Sequence, residues 1–187
     1  MKYFTIIFIG FLFLSFSSCS TKEEEIRSRG FLKAFDQIYD MDYAVADYVS
    51  ESYWGHDVNF VRIQNRPFTS TENIPTWNYA LHLNLLSTLT SKEDFSGSYP
   101  LKSFGELKDD GELEGGDLSY LTGAVLFLNM KYEDGIWESG ERLFEWTDGH
   151  VEISKEGDVY LIQFLLRNKE TTYKGEYKGS LPIEKAP

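Results

Sequence analysis

The three histidines are the residues whose type could most directly bind a metal or transfer a proton. His56, His82 and His150 lie far apart in the sequence and have no metal-ligand spacing. His82 falls in an apolar, alternating segment, which favours a structural histidine over a ligand. The sequence has no nucleophile-elbow, zincin, phosphate-loop or Cys-x-x-Cys motif. We therefore predict no catalytic residue, no metal centre and no cofactor.

Carboxylates are concentrated in one segment that also contains three glycines. Its acidic residues are Glu106, Asp109, Asp110, Glu112, Glu114 and Asp117. Calcium takes several oxygen ligands on a flexible backbone, which makes Asp109, Asp110 and Asp117 candidate ligands. The spacing of an EF-hand loop is not met, so a solvated acidic loop is the favoured interpretation. A pair of carboxylates for glycoside hydrolysis is a further hypothesis that the sequence does not localise.

The four tryptophans suggest sugar binding, because a flat aromatic face suits the apolar face of a sugar ring. They accompany twelve tyrosines. Trp137 and Trp146 stand beside turns and acidic residues, so we expect both to be exposed. Together with Trp54 they are the candidate ligand-binding residues. The alternative is that each tryptophan packs in the core or on a strand face, as aromatic residues commonly do.

The N-terminal residues have the layout of a secretory signal peptide. Lys2 is followed by an uncharged apolar run over residues 3–16 and then by Ser17, Ser18 and Cys19. A charged, an apolar and a small-residue segment in this order are typical of export signals. The run is shorter than the roughly 20 residues that span a membrane. A buried helix is the alternative.

Residues 16–19 resemble the lipobox of bacterial lipoproteins, with Phe16 where Leu is usual. The resemblance implies cleavage between Ser18 and Cys19 and acylation of Cys19. Because Cys19 is the only cysteine, it cannot form an internal disulfide. Several acyl chains on one residue would anchor the protein stably to membrane lipid.

Residues 20–25 resemble the acidic export signal that follows the lipidated cysteine in lipoproteins of the Bacteroidetes. Lys22, Glu23 and Glu24 carry this resemblance, which implies display on the outer face of the outer membrane. The alternatives are a charged tether without signalling function and a position on the periplasmic face. Ser20 is not Asp, so the inner-membrane retention signal of enteric bacteria is absent.

Composition predicts one acidic globular domain. Removal of residues 1–18 leaves 169 of the 187 residues, enough for one core. That segment contains one basic residue, Lys2, and no acidic one, so the net charge changes from −12 to −13. This charge argues against nucleic acid and against direct binding to anionic lipid.

Alternating apolar residues predict an all-β fold. Runs with a period of two include residues 58–63, 77–89, 120–132, 159–166 and 171–181, and Asp-Gly or Gly-Asp pairs separate several of them. Short strands at this spacing indicate an antiparallel β-sandwich, with a lipocalin-like barrel as the alternative. Residues 26–39 show a weak helical pattern instead. We therefore predict a tether with a possible helix over residues 19–40 and the sandwich over residues 41–187.

Two further features of the sequence support this fold. Residues 95–99 and 173–177 share an aromatic-x-Gly-x-Tyr pattern, which we interpret as equivalent strand motifs in which the aromatics cover the glycine. Residues 139–141, 149–153, 158–164 and 173–179 resemble the C-terminal hairpins of uncharacterised β-sandwich lipoproteins of the Bacteroidetes. That resemblance implies a fold and a location but no activity.

Three functions remain open from the sequence. The first is a non-catalytic binding module for a glycan or a protein at the cell surface. The second is a structural or accessory subunit of an envelope complex, and the third is a hydrolase with dispersed carboxylates. Exposed clustered aromatics would favour the first, an apolar patch the second and a deep acidic pocket the third.

Overall fold

The computed structural model describes residues 28–53, 56–67, 77–87, 94–114, 118–134 and 136–185. The strands in these ranges are β1 (Arg29–Ala34), β2 (Gln37–Asp40), β3 (Tyr43–Tyr53), β4 (His56–Gln64), β5 (Ala80–Ser87), β6 (Gly97–Pro100), β7 (Ser119–Glu133), β8 (Ile136–Leu143), β9 (Asp148–Glu156), β10 (Val159–Arg167), β11 (Thr172–Gly179) and β12 (Ile183–Lys185). Between β6 and β7 lie the helix α1 (Phe104–Asp109) and a 3₁₀ helix, Glu112–Glu114.

The described strands form two six-stranded sheets. The first sheet has the order β2-β1-β11-β10-β9-β6, and the second has the order β12-β3-β4-β5-β7-β8. All pairs are antiparallel except β12 with β3, which is parallel. The two sheets are not closed into one, so the predicted β-sandwich is confirmed and the lipocalin-like barrel is wrong.

Alternation places one face of each sheet in a shared core. In β10, Tyr160, Ile162, Phe164 and Leu166 are buried, while their neighbours are half-buried or exposed. The same alternation buries Leu126, Leu128 and Met130 in β7, as the sequence predicts. Buried side chains of both sheets belong to one cluster. Burial of this apolar surface is the main driving force for the fold.

The helix predicted within residues 26–39 is wrong over the part that the structure describes. Residues 29–40 form the hairpin β1–β2, with Phe35 and Asp36 at positive φ in its turn. The apolar positions that suggested a helical face divide instead: Phe31 and Ile38 are exposed, and Tyr39 is buried. Since β1 pairs with β11, the sandwich begins before residue 41.

The two aromatic-x-Gly-x-Tyr segments both lie in the first sheet, in β6 and β11. At Gly97, a Cβ atom would lie 3.2 Å from Cε2 of Tyr99, so the flanking tyrosine covers the glycine as predicted. At Gly175, the Phe164 ring of the neighbouring strand covers the gap, and a Cβ atom would collide with it and with the carbonyl oxygen of Phe31. Gly175 is therefore required for close packing, whereas a side chain at Gly97 would need the Tyr99 ring to shift by a few tenths of an ångström.

Candidate functional site

The outer face of the second sheet is the surface on which polar and aromatic side chains meet. Residues that lie directly opposite each other on neighbouring strands point to the same side of a sheet. One row across the sheet contains Arg62, His82 and Val125, and the next contains Ala80, Phe127 and Arg142. Their strand neighbours Leu81 and Leu126 point into the core.

The segment between β6 and β7 covers one half of this face. Leu107 and Leu113 from its two helices pack against Val58 of β4 and Leu86 of β5 in a second, smaller apolar cluster. Ser103 caps α1 through a capping box, in which its hydroxyl oxygen accepts from the Glu106 amide and the Glu106 carboxylate accepts from the Ser103 amide. This cap fixes where α1 begins, and the leucines hold the segment on the sheet.

The other half of the face carries four half-buried rings, which we call the aromatic strip (Trp77, His82, Phe127 and Tyr132). The Trp77 ring is central, with centroids 4.9 Å from Phe127, 5.9 Å from His82 and 5.9 Å from Tyr132. His82 and Phe127 lie 5.0 Å apart. Tilted and edge-on contacts at these distances are favourable between aromatic rings.

Arg142 connects the aromatic strip to a cleft at the end of the sandwich. Its guanidinium lies 5.8 Å from the ring centroid of Phe127 and 5.8 Å from that of Phe144. Beyond Phe144 is a cleft of about 510 Å³ between the β8–β9 and β10–β11 connections. Glu145, Trp146, Lys169 and Glu170 are among its lining residues, so the cleft carries charges of both signs.

A second arginine flanks the strip on the side of β4. Nη2 of Arg62 lies 2.8 Å from Oδ2 of Asp47, in a partly exposed ion pair. The same guanidinium is one cause of the low pKa of His82. Burial among the rings contributes most, followed by the positive charges of Arg62 and Arg142, and together they lower this pKa from 6.5 to about 4.

The His82 imidazole is therefore neutral at neutral pH, and the four rings of the aromatic strip carry no charge. A neutral imidazole has one hydrogen-bond donor and one acceptor, which suits a hydroxyl group. Burial also raises the pKa of the Tyr132 phenol, so this group keeps its proton. The arginines at both flanks supply fixed donors. This combination can hold an uncharged, hydroxyl-rich ligand against the rings.

Of the sequence-predicted ligand residues, Trp137 lies beside the strip, whereas Trp146 packs against the core between the two sheets. Trp137 is 59% exposed and stands opposite Tyr132 in the register of β7 and β8. Trp146 is only half-buried rather than exposed, because its indole N–H donates to the Ala124 carbonyl oxygen at 2.8 Å and its ring contacts Tyr173. Trp54 lies outside the described residues.

The remaining candidates do not form a site in the described part of the chain. Asp109 and Asp110 lie at the end of α1, where Nζ of Lys102 binds the Asp110 carboxylate at 2.7 Å. Asp117 lies outside the described residues, as do Cys19, Lys22, Glu23 and Glu24. Within the described ranges, no group of three or more His, Cys, Asp or Glu side chains is placed to hold a metal ion. None of the helices in those ranges is long and apolar enough to cross a membrane.

The sequence missed most of the aromatic strip. The alternation placed Trp77 on the same face as Leu81 and Leu83, whereas its ring contacts the outward-facing His82 and Phe127. Trp77 precedes β5, which begins at Ala80, so the side-chain alternation of the strand does not extend back to Trp77. The strip could have been found from the residues of each strand that point away from the core. These include His82 in β5 and Phe127 in β7.

Comparisons of the chain with protein-family models, with curated proteins and with solved structures gave no significant match. The function must therefore be argued from the residues of this face.

Proposed function

We propose that the protein is an outer-membrane-anchored lipoprotein whose β-sandwich acts as a non-catalytic binding module for a glycan. The observation that carries the proposal is the aromatic strip with its flanking arginines. It offers half-exposed rings beside hydrogen-bonding groups, which matches a sugar ring with an apolar face and hydroxyl edges. Trp137 extends this surface beside Tyr132, and Trp146 lines the neighbouring cleft.

The shape of the surface favours a chain of sugars over a single sugar. The strip lies open on a sheet, and Arg142 leads from it into the cleft that Trp146 lines. An oligosaccharide could contact the strip and the cleft at once. The mixed charges of Arg142, Glu145 and Lys169 in the cleft would pair with hydroxyl groups at its end.

Glycan binding is tested with a glycan array, followed by titration calorimetry on the best ligand. We expect Trp77→Ala and Phe127→Ala each to weaken binding at least tenfold, about 1.4 kcal/mol. The matched control is Phe31→Ala, which removes an exposed ring from the other sheet. All variants are first compared with the wild type by thermal unfolding, so that a folding defect is recognised.

The other outcomes separate the remaining functions. Absence of glycan binding, with a protein captured through the same residues in envelope extracts, would favour an accessory subunit of an envelope complex. Release of shorter sugars from a bound glycan would favour the hydrolase, with Glu145 and Glu170 of the cleft as the first carboxylates to replace.

The membrane anchor is a separate part of the proposal and rests on the sequence of residues 1–25. We expect Cys19→Ala to move the protein from the membrane fraction to the soluble fraction. We also expect protease added to intact cells to remove the wild-type protein. Protection until the outer membrane is opened would instead place it on the periplasmic face. Replacement of Glu23 and Glu24 by Ala then tests the export signal directly.

A further inference from the structure

Four cationic side chains stand together on the outer face of the first sheet, where β1 pairs with β11. Arg29 lies directly opposite Lys178, and Lys33 lies directly opposite Lys174. Residues opposite each other on neighbouring strands point to the same side of a sheet, and all four side chains are exposed. We call this group the basic face (Arg29, Lys33, Lys174 and Lys178). It concentrates positive charge in a chain whose net charge is −12.

The basic face destabilises the sheet, because like charges directly opposite on paired strands repel each other. The ion pairs within the described part of the chain involve other cations, so none of the four belongs to one. Two carboxylates also point outward on β2 and β11, Asp40 and Glu176. That of Glu176 accepts from Nε2 of Gln163 at 2.9 Å. Cations therefore outnumber carboxylates on this part of the sheet, and a bound anion would relieve their repulsion.

Exposed apolar side chains lie among these cations. Phe31 stands midway between Arg29 and Lys33 along β1, points to the same side and is 41% exposed. Ile38 of β2 lies directly opposite Lys33 and is 69% exposed. This combination suits the surface of a membrane, because apolar side chains enter the headgroup layer while Lys and Arg meet its phosphate groups.

The proposed lipid anchor would hold this face close to a bilayer. Residues 20–28 separate Cys19 from Arg29, and an extended chain spans at most about 3.6 Å per residue. The start of β1 thus stays within about 35 Å of the acylated residue. A tether of this length raises the effective concentration of the bilayer at the basic face, so that contacts too weak to form in solution are occupied.

We propose that the basic face docks on the phosphate groups of the bilayer that holds the anchor, with Phe31 and Ile38 in the headgroup layer. The inference rests on the proposed lipid anchor and adds an orientation to it. The outer faces of two packed sheets point in opposite directions, so docking through the first sheet presents the aromatic strip to the medium. The acidic remainder of the molecule does not prevent this contact, because salt screens charges beyond about 8 Å at physiological ionic strength.

Lysine footprinting of the acylated protein in vesicles tests the proposal. The vesicles contain phosphatidylcholine alone or three parts phosphatidylcholine to one part phosphatidylglycerol, and mass spectrometry follows the acetylation of each lysine. We expect phosphatidylglycerol to slow acetylation of Lys33, Lys174 and Lys178 at least threefold, and half-molar sodium chloride to abolish this protection. Lys131, exposed on β7 of the second sheet, is the internal control and should react equally in both kinds of vesicle.

A charge reversal separates membrane contact from folding. Lys33→Glu places a carboxylate opposite Lys174, which replaces a repulsion by an attraction, so we expect the melting temperature to stay equal or to rise. The same substitution should reduce the protection of Lys174 and Lys178 by phosphatidylglycerol at least twofold. Lys131→Glu makes the same change of charge on the second sheet and should leave that protection unchanged.

Each outcome decides the proposal. Protection that depends on phosphatidylglycerol, on low salt and on Lys33 supports it. Equal acetylation in both kinds of vesicle overturns it, as does protection that Lys33→Glu leaves intact. Slow acetylation already in detergent, relieved when Glu23, Glu24 and Glu25 are replaced by Gln, would also overturn it, because the tether would then occupy the face.

Failure of the anchor gives a different result from failure of the basic face. The intact mass of the purified protein shows whether Cys19 carries acyl chains. A protein without them refutes the anchor. Coupling of Cys19 to a maleimide lipid then holds the chain on the same vesicles, and the footprinting decides whether the basic face docks.

Discussion

His82 shows how one residue can link the aromatic strip to the stability of the fold. Its ring lies within 6 Å of Trp77 and Phe127, and its pKa is about 4. In the unfolded chain the pKa returns to about 6.5. Between these two values, the unfolded state binds more protons than the folded state. The free energy of unfolding therefore falls as the pH falls from about 6.5 to about 4.

This linkage predicts a pH-dependent loss of at most about 3 kcal/mol, since one pKa unit corresponds to about 1.4 kcal/mol. Urea unfolding of the wild type at a series of pH values between 7 and 4 measures it. His82→Gln should flatten the profile in this window, because the titrating group is gone. Parallel profiles for the wild type and His82→Gln would show that His82 does not contribute.

At the same scale, the sequence predicted the site only in part. Composition and position identified Trp137 as exposed, which the structure confirms. Trp146 also stands beside a turn, but the Ala124 carbonyl group and the Tyr173 ring hold it. Neither contact is visible in the sequence, since they join the β8–β9 connection to the distant strands β7 and β11. Exposure of a single tryptophan depends on such long-range contacts more than on its neighbours in the chain.

At the scale of strands, the turn signals had three physical meanings that the sequence did not separate. Gly157 and Asp134 have positive φ in the hairpins β9–β10 and β7–β8, as predicted. Gly111 also has positive φ but follows α1, where a helix end needs the same conformation. Gly149 lies inside β9 and is buried. The same residue type thus serves turn, cap and packing.

Two glycines in different elements should respond oppositely to the same substitution. Gly175→Ala places a methyl group against the Phe31 carbonyl oxygen and the Phe164 ring, so we expect a loss of more than about 2 kcal/mol, in the range typical of overpacking. Gly105→Ala adds its methyl group in the open space at α1, where Ala favours the helix by up to about 1 kcal/mol.

Thermal and urea unfolding of these two variants beside the wild type give both values. A neutral Gly175→Ala would mean that β1 and β10 can move apart at this point. A destabilising Gly105→Ala would mean that the added methyl group disturbs the first turn of α1 despite the open space around it.

At the scale of the molecule, alternation predicted the two-layer fold but not its N-terminal boundary. The hairpin β1–β2 is short, and although Asp36 is a typical turn residue, Phe35 beside it is not. Its pairing partner, β11, follows more than a hundred residues later. The pattern of residues within 29–40 therefore cannot show that this segment belongs to the first sheet. The burial of Leu32 and Tyr39 in the shared core shows that it does.

This boundary predicts which shortened chain folds. A chain that begins at residue 28 should unfold in one cooperative transition. A chain that begins at residue 41 lacks Leu32, Ala34 and Tyr39 of the core and exposes the edge of β11. Loss of a single buried leucine side chain costs about 2–5 kcal/mol, and total stabilities are about 5–15 kcal/mol. We therefore expect the shorter chain to lose its near-ultraviolet circular dichroism and its thermal transition.

Ile38→Ser in the longer chain is the control, because that side chain is 69% exposed on β2 and its removal should shift the transition little. A shorter chain that melts cooperatively near the temperature of the longer one would restore the boundary at residue 41 and make β1 and β2 an accessory hairpin. Loss of folding in the shorter chain would instead leave only the residues before 28 available as a tether.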